Sequence, residues 1–267
     1  MAASMIKGPL CTRQSLYNDL RDLGIKQGDT ILLHSSISSL GWVCGGAETV
    51  VHALVDVLGD AGTLVVPSHS VDNSDPGLWQ NPPVPEEWHQ LIRNSMPAYD
   101  PRTTGARTMG MIAETVRTWP GAVRSAHPHT SFSAIGSKAG ELVADHALDC
   151  RLGEKSPLAR LEADNARVLL LGVGFECCTA FHLAEYRLSI TYQENVSFAA
   201  CIANGREWVT VQDTAVSEDG FDRLGSDYER DKTVILGTVG GASARLFSLA
   251  SAVDYAQSWL PKHRPGM

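Results

Sequence analysis

The chain has 267 residues, 43% apolar and 19% charged, enough for one large domain or two small ones with a sizeable core, and this argues against intrinsic disorder. Twenty-two Lys plus Arg against 30 Asp plus Glu give a formal charge of −8, which argues against nucleic acid or an anionic membrane as partner and suits a cationic small substrate. No stretch approaches the ~20 apolar residues needed to cross a bilayer, and "MAASMIKGPLCTRQSL" lacks the apolar centre of a signal peptide, so a cytoplasmic protein is expected.

In chain order, Leu16, Leu20 and Leu23 share one face of a helix predicted over Thr12 to Leu23, with Gly24 as its stop. "DTILLHSS" (Asp29 to Ser36) reads as a buried strand that delivers its last side chains to a loop, "SISSLGWVCGG". A helix from Ala47 to Leu58 and the strand "TLVVPS" complete a βαβ-like opening, which indicates an α/β chain with a parallel sheet. The Pro-rich segment from Ser68 to Thr104, with Trp79 and Trp88, reads as a functional lid or wall. Helices near Met109 to Trp119 and Lys138 to His146 flank the polar loop "RSAHPHTSFSAIG", and "RVLLLGVG" (Arg167 to Gly174) is a third buried strand. Ligands in open α/β sheets bind at the carboxyl ends of strands, so the loops after His34, Pro67 and Val173 converge as candidates.

The last third is expected to be an α+β elaboration packed on the first sheet, within a single domain spanning 1–267. It holds a predicted hairpin turning at Asn204-Gly205, then an acidic run from Asp213 to Asp231, then further strands and a final helix over Val253 to Leu260. That acidic run could equally be a solvated face.

"CCTAFHLAEYRL" (177 to 188) follows the third strand directly and reads as a helix. Thr179, His182 and Glu185 then stand at i, i+3 and i+6, about 60° between neighbours, so all three can line one wall of a cleft. A carboxylate beside an imidazole fixes its tautomer and makes it a better base, although a surface pair is the bland alternative. Cys177 and Cys178 near a helix start are the rival nucleophiles, but no catalytic-cysteine signature surrounds them. The six cysteines form no CxxC pair and are expected as reduced thiols. Nine histidines contain no HExxH, and no metal is expected.

"HSSISSLGWVCGG", "RTTGARTMGMIAE", "RSAHPHTSFSAIG", "SPLARL" and "LLLGVGFECCTAFHLAEYR", in this order from about Thr12 to Leu260, resemble the pattern of the aminoglycoside 3-N-acetyltransferase family, which is unrelated to the GNAT fold. The resemblance implies a three-layer α/β/α enzyme with a central mostly parallel sheet. It implies transfer of acetyl from acetyl-CoA to the 3-amino group of a 2-deoxystreptamine ring, in a ternary complex without an acyl-enzyme. By the same resemblance His182 is the general base, Glu185 its carboxylate neighbour and Thr179 a hydroxyl for the thioester, with His34, Ser35 and Ser36 bordering the reacting centre. Ser38, Ser39, Leu40 and Gly41, with Ser125 and His127, would line the CoA channel. An aminoglycoside is a polycation, so Asp72 and Asp75 of "VDNSDP", and Glu218 and Asp219 of the acidic run, are the expected ammonium partners. Relatives acting on a non-antibiotic metabolite amine, or a non-catalytic aminoglycoside-binding protein, are the alternatives.

Overall fold

The first helix starts where its sequence can satisfy its own end. Thr12 Oγ1 accepts the Ser15 N–H at 3.1 Å, and Ser15 Oγ accepts the Thr12 N–H at 2.9 Å, a reciprocal cap. The computed structural model describes residues 8–264. Residues 1–7, part of the stretch read for a signal peptide, and 265–267, the end of the expected domain, lie outside the described residues.

The elements run β1 (Leu10–Cys11), α1 (Arg13–Asp22), β2 (Thr30–Ser35), β3 (Trp42–Val43), α2 (Gly46–Leu58), β4 (Thr63–Pro67), α3 (His89–Ser95), α4 (Gly110–Arg117), β5 (Val123–Arg124) and β6 (Phe132–Gly136). They continue with α5 (Ala139–Val143), α6 (Pro157–Ala163), β7 (Arg167–Leu171), α7 (Ala180–Tyr186), β8 (Gln193–Ile202), β9 (Gly205–Thr214), α8 (Phe221–Asp231), β10 (Ile235–Val239), β11 (Ala242–Ser248) and α9 (Leu249–His263). No helix among the described residues is long and apolar enough to cross a membrane.

The central sheet has seven strands in the order β10-β11-β7-β2-β4-β6-β5. β2 pairs in parallel with β4 and β7, and the other four pairings are antiparallel, so only β11 and β6 run against the remaining five strands. Side chains alternate across it with period two. Ile31, Leu33, Leu169 and Leu171 bury against Leu16 and Leu20 of α1, Leu54 of α2 and Val116 of α4. Leu32, Val168 and Leu170 face the opposite layer, with Phe181 of α7, Phe221 of α8 and Ala252 of α9. The result is an α/β/α sandwich, and His34 continues the Leu32 face, toward α7.

The hairpin departs from expectation at its turn. Its turn residues are Ala203 and Asn204, both at positive φ (47° and 66°), with Gly205 paired to Ile202 across the turn, so the reversal falls one residue earlier than the Asn-Gly signal suggested. It also forms a sheet of its own, with a small core of Val196, Phe198 and Ala200. Asn73 of the Pro-rich segment ties it down, its side chain bonding both the N–H and the carbonyl of Ala199 at 2.8 and 2.9 Å.

At the end of β7 the loop after β2 is fastened by the Ser36 N–H to the Leu171 carbonyl, 3.0 Å. The next residue, Gly172, has φ +70°, and a Cβ there would lie 1.7 Å from Ser39 Oγ and 2.7 Å from Ser39 Cβ. Glycine is required by both conformation and contact. Gly172→Ala should therefore lower the unfolding free energy by about 1–3 kcal/mol; a urea midpoint equal to the parent's would show that the approach is not tight.

Candidate active site

The stretch after β7 turns once, at Phe175–Cys177, before α7 begins at Ala180, so Cys177 and Cys178 precede the helix rather than lie in it. Cys178 is fully buried, and burial pushes its thiol up to about 12. Cys177 lines the cleft described below, yet its thiol is also raised, first by burial and then by Glu176. Neither is set up as a thiolate nucleophile.

The three residues at helical spacing meet the ends of two strands. Thr179 caps α7 without a side-chain capping bond, and its Oγ1 stands 3.4 Å from His34 Nε2. His182 Nδ1 lies 2.6 Å from Glu185 Oε2, both side chains being about 5% exposed. A carboxylate accepts only, so Nδ1 is the nitrogen that donates to it. The other oxygen, Oε1, accepts the Ser217 N–H at 3.2 Å and Arg264 Nη1 at 2.6 Å. The His182 ring packs against Phe221, 4.9 Å between centroids.

Of these groups His34, Thr179, His182 and Ser217 line a cleft of about 800 Å³, with Glu185 behind His182 and not in the wall, and all three predicted loops contribute to it, through His34 and Ser35, through Pro67 and His69, and through Val173 to Thr179. Three of its imidazoles, those of His34, His69 and His129, are held uncharged at neutral pH. Burial, then the neighbouring His182, lowers His34 to about 3. Burial, then Arg151, lowers His129 to about 4, and burial holds His69 well below its usual value. Arg151 in the wall is balanced by Glu194 and Asp213. Glu176, Glu218 and Asp219 are the acids facing the cleft.

Other expected residues fall elsewhere. Ser36, Ser38, Ser39, Leu40 and Gly41 lie beside the cleft and not in its wall. Ser36 and Ser38 pair through their hydroxyls at 3.0 Å, Ser39 Oγ donates to the Ser36 carbonyl at 2.6 Å, and the N–H groups of Ser39 and Leu40 close a tight turn. Leu40 is fully buried, and Gly41 (φ +97°) abuts Pro9, leaving no room for a side chain.

Ser125 and His127 are buried beneath the wall. The Ser125 hydroxyl accepts the Phe132 N–H at 2.9 Å and pairs with His146 Nδ1 at 3.0 Å. His127 Nδ1 accepts the N–H groups of His129 and Thr130, at 3.2 and 3.0 Å, and so builds the turn that places those two residues in the wall.

Asp72 borders a second hollow of about 490 Å³ that shares His69, Val71 and Thr108 with the cleft. Asp75 is outside both hollows: Arg93 grips its carboxylate with two bonds of 2.9 and 3.0 Å and holds it below the usual carboxylate range. Trp79, bonded to Ser74, and the exposed Trp88 do not reach the cleft. Beyond Glu218 and Asp219, Asp222 of the acidic run is exposed and the other acids are structural. Asp213 is buried under Arg151 and Tyr186, while Asp227, Glu229 and Asp231 pair with Arg230 and Arg245.

Glu176, His129, Thr130, Arg151 and Arg264 are the site groups that spacing alone missed. Among the described residues no group of three or more His, Cys, Asp or Glu is arranged to hold a metal.

A family model described as aminoglycoside 3-N-acetyltransferase matches residues 32–261. The chain is 46% identical over 251 residues to the "SPbeta prophage-derived aminoglycoside N(3')-acetyltransferase-like protein YokD" of Bacillus subtilis, covering 93% of this chain and 92% of that one. The crystal structure of YokD superimposes with a TM-score of 0.95 at 43% identity, covering 98% and 97% of the two chains. Aminoglycoside N(3)-acetyltransferase IX of Micromonospora chalcea is 36% identical, over 95% and 94%. The structure of AAC-IIIb as a binary complex with CoASH matches at 30% identity and a TM-score of 0.83, over 95% and 97%.

His34, His127 and His146 are all buried, with basicity lowered by burial first; His146 falls to about 4. A depressed imidazole favours the folded state only while the unfolded chain is also unprotonated. Stability should thus be full above about pH 6.5 and fall below it, by up to about 1.4 kcal/mol per pH unit for each such histidine until its folded pKa is reached. Urea unfolding at pH 7, 6 and 5 checks this; equal stabilities would contradict it.

Proposed function

Because the chain belongs to the aminoglycoside 3-N-acetyltransferase family, we propose that it transfers the acetyl group of acetyl-CoA directly to the 3-amino group of a 2-deoxystreptamine aminoglycoside, with His182 as the general base. The observation that carries this reading is the buried 2.6 Å pair of His182, in the cleft wall, and Glu185 behind it.

An aminoglycoside ammonium group reaches a cleft in which His34 and His129 are uncharged and the acids are Glu176, Glu218 and Asp219. To become a nucleophile it must lose a proton, and the Nε2 lone pair of His182 is the acceptor that Glu185 orients. The amine nitrogen then bonds the thioester carbonyl carbon, and negative charge grows on the carbonyl oxygen. Thr179, 3.4 Å from His34 Nε2, can accept that ring's N–H and turn its own proton toward the oxygen. Collapse of the tetrahedral intermediate breaks the carbon–sulfur bond. The departing thiolate takes the proton held by His182, and the second proton that the attacking nitrogen sheds as the amide forms passes to solvent, which leaves amide, free CoA thiol, a proton in water and neutral base.

His182→Ala should lower kcat by about 10²–10⁴-fold with the fold intact, and Cys177→Ser should leave thiol release near the parent rate. Full turnover in the first variant, or loss of turnover in the second, would contradict the assignment. Thiol release with a metabolite amine and with no aminoglycoside would move the acceptor to that other class. Stoichiometric aminoglycoside binding without turnover would make the chain a sequestering protein.

A further inference from the structure

The carboxylate that orients His182 is itself held from a point 79 residues further along the chain. Arg264, just beyond α9, places Nη1 at 2.6 Å from Glu185 Oε1. Its Nη2 donates to the Ser217 carbonyl at 2.9 Å and to the Asp219 carbonyl. Its guanidinium also lies over the Phe221 ring, 5.1 Å from the centroid, while the same ring packs on His182. One planar cation thus touches the carboxylate behind the base, the loop that carries Glu218 and Asp219 into the cleft, and the ring against which the base rests. The side chains of Arg264 and Glu185 are only 11% and 5% exposed, so water cannot substitute well for either partner.

We propose that Arg264 is a positioning residue for acetyl transfer, clamping Glu185 and the Ser217–Asp219 loop into one rigid unit so that His182 Nε2 is held toward the acceptor amine. The inference rests on the reading of His182 as base. Oε2 is committed to the imidazole, and without the guanidinium Oε1 keeps only the 3.2 Å bond from Ser217. The carboxylate can then rotate, and the ring it holds rotates with it. Lysine cannot replace the fork, because a point charge lacks the planar pair of donors that spans a carboxylate and two carbonyls.

Arg264 also lines a separate hollow of about 360 Å³, with Glu185, Leu188, Tyr192 and Leu260. None of the residues lining that hollow lines the cleft, so a small guanidinium can enter the space left by a truncated side chain without competing with substrate.

The test is steady-state acetyl transfer by the full chain carrying Arg264→Ala, Arg264→Lys, Glu185→Gln, the Glu185→Gln/Arg264→Ala pair, or His182→Ala. Arg264→Ala should lose about 100-fold in kcat with the KM for acetyl-CoA little changed, and millimolar ethylguanidinium should restore part of that loss. The paired variant should be no slower than the slower of its two single variants, because both act through one arrangement. Arg264→Lys should be intermediate, and it carries the test if Arg264→Ala does not fold. Parental kcat in either Arg264 variant, a loss confined to KM, or multiplied losses in the paired variant would overturn the proposal. His182→Ala separates the two levels. If it turns over normally the base reading itself falls, whereas an inactive His182→Ala beside a normal Arg264→Ala sinks only the role of Arg264.

Discussion

A carboxylate about 5% exposed is costly unless both its oxygens are satisfied, and the arrangement of the site follows from how Glu185 meets that demand. One oxygen takes the imidazole N–H of His182, and the other takes the Ser217 N–H and Arg264. To supply these partners, α7 must lie where the chain before α8 and the end of α9 both reach it. Phe181, Phe221 and Leu260 share one apolar layer and hold those elements there. The interaction that orients His182 therefore also fixes where the acidic loop meets the cleft.

The opposite wall follows from strand alternation. Leu32 and His34 point to the same face of β2; the first completes the core beneath α7, and the second emerges two residues later beside Thr179. The same burial that makes this region a core keeps His34 uncharged, so it can serve as a neutral hydrogen-bond partner close to His182 without competing for the proton. Nearby, Ser125 and His146 pair with each other and with backbone groups, and His127 Nδ1 accepts two backbone N–H groups, which stiffens the turn presenting His129 and Thr130. Polar residues just under a wall are as much a part of its shape as those in it.

Much of this was legible in the sequence. The apolar runs before Ser35, Pro67 and Gly172 named the central strands, and helical spacing paired His182 with Glu185 because periodicity is local, although only Thr179 and His182 line the cleft and Glu185 stands behind them. What was not legible depends on contacts between distant segments. Asp75 reads as a free acid until Arg93 folds back on it, and Arg264 looks like an ordinary terminal cation until α9 carries it to Glu185. The hairpin turn moved by one residue because the strand register is set by pairing along its whole length, and that register puts Ala203 and Asn204 at the corner. Ser125 and His127 kept the family motif, but their side chains turned inward.

The central claim is that Glu185 holds His182 with its proton on Nδ1 and a bare Nε2 toward the cleft. Nitrogen-15 chemical shifts of histidine-labelled protein, with the His182 ring assigned by comparison with His182→Gln, measure that directly. A protonated Nδ1 and an unprotonated Nε2 are expected in the resting ring, a fixed tautomer that Glu185→Gln should lose. A ring protonated on Nε2 would contradict it.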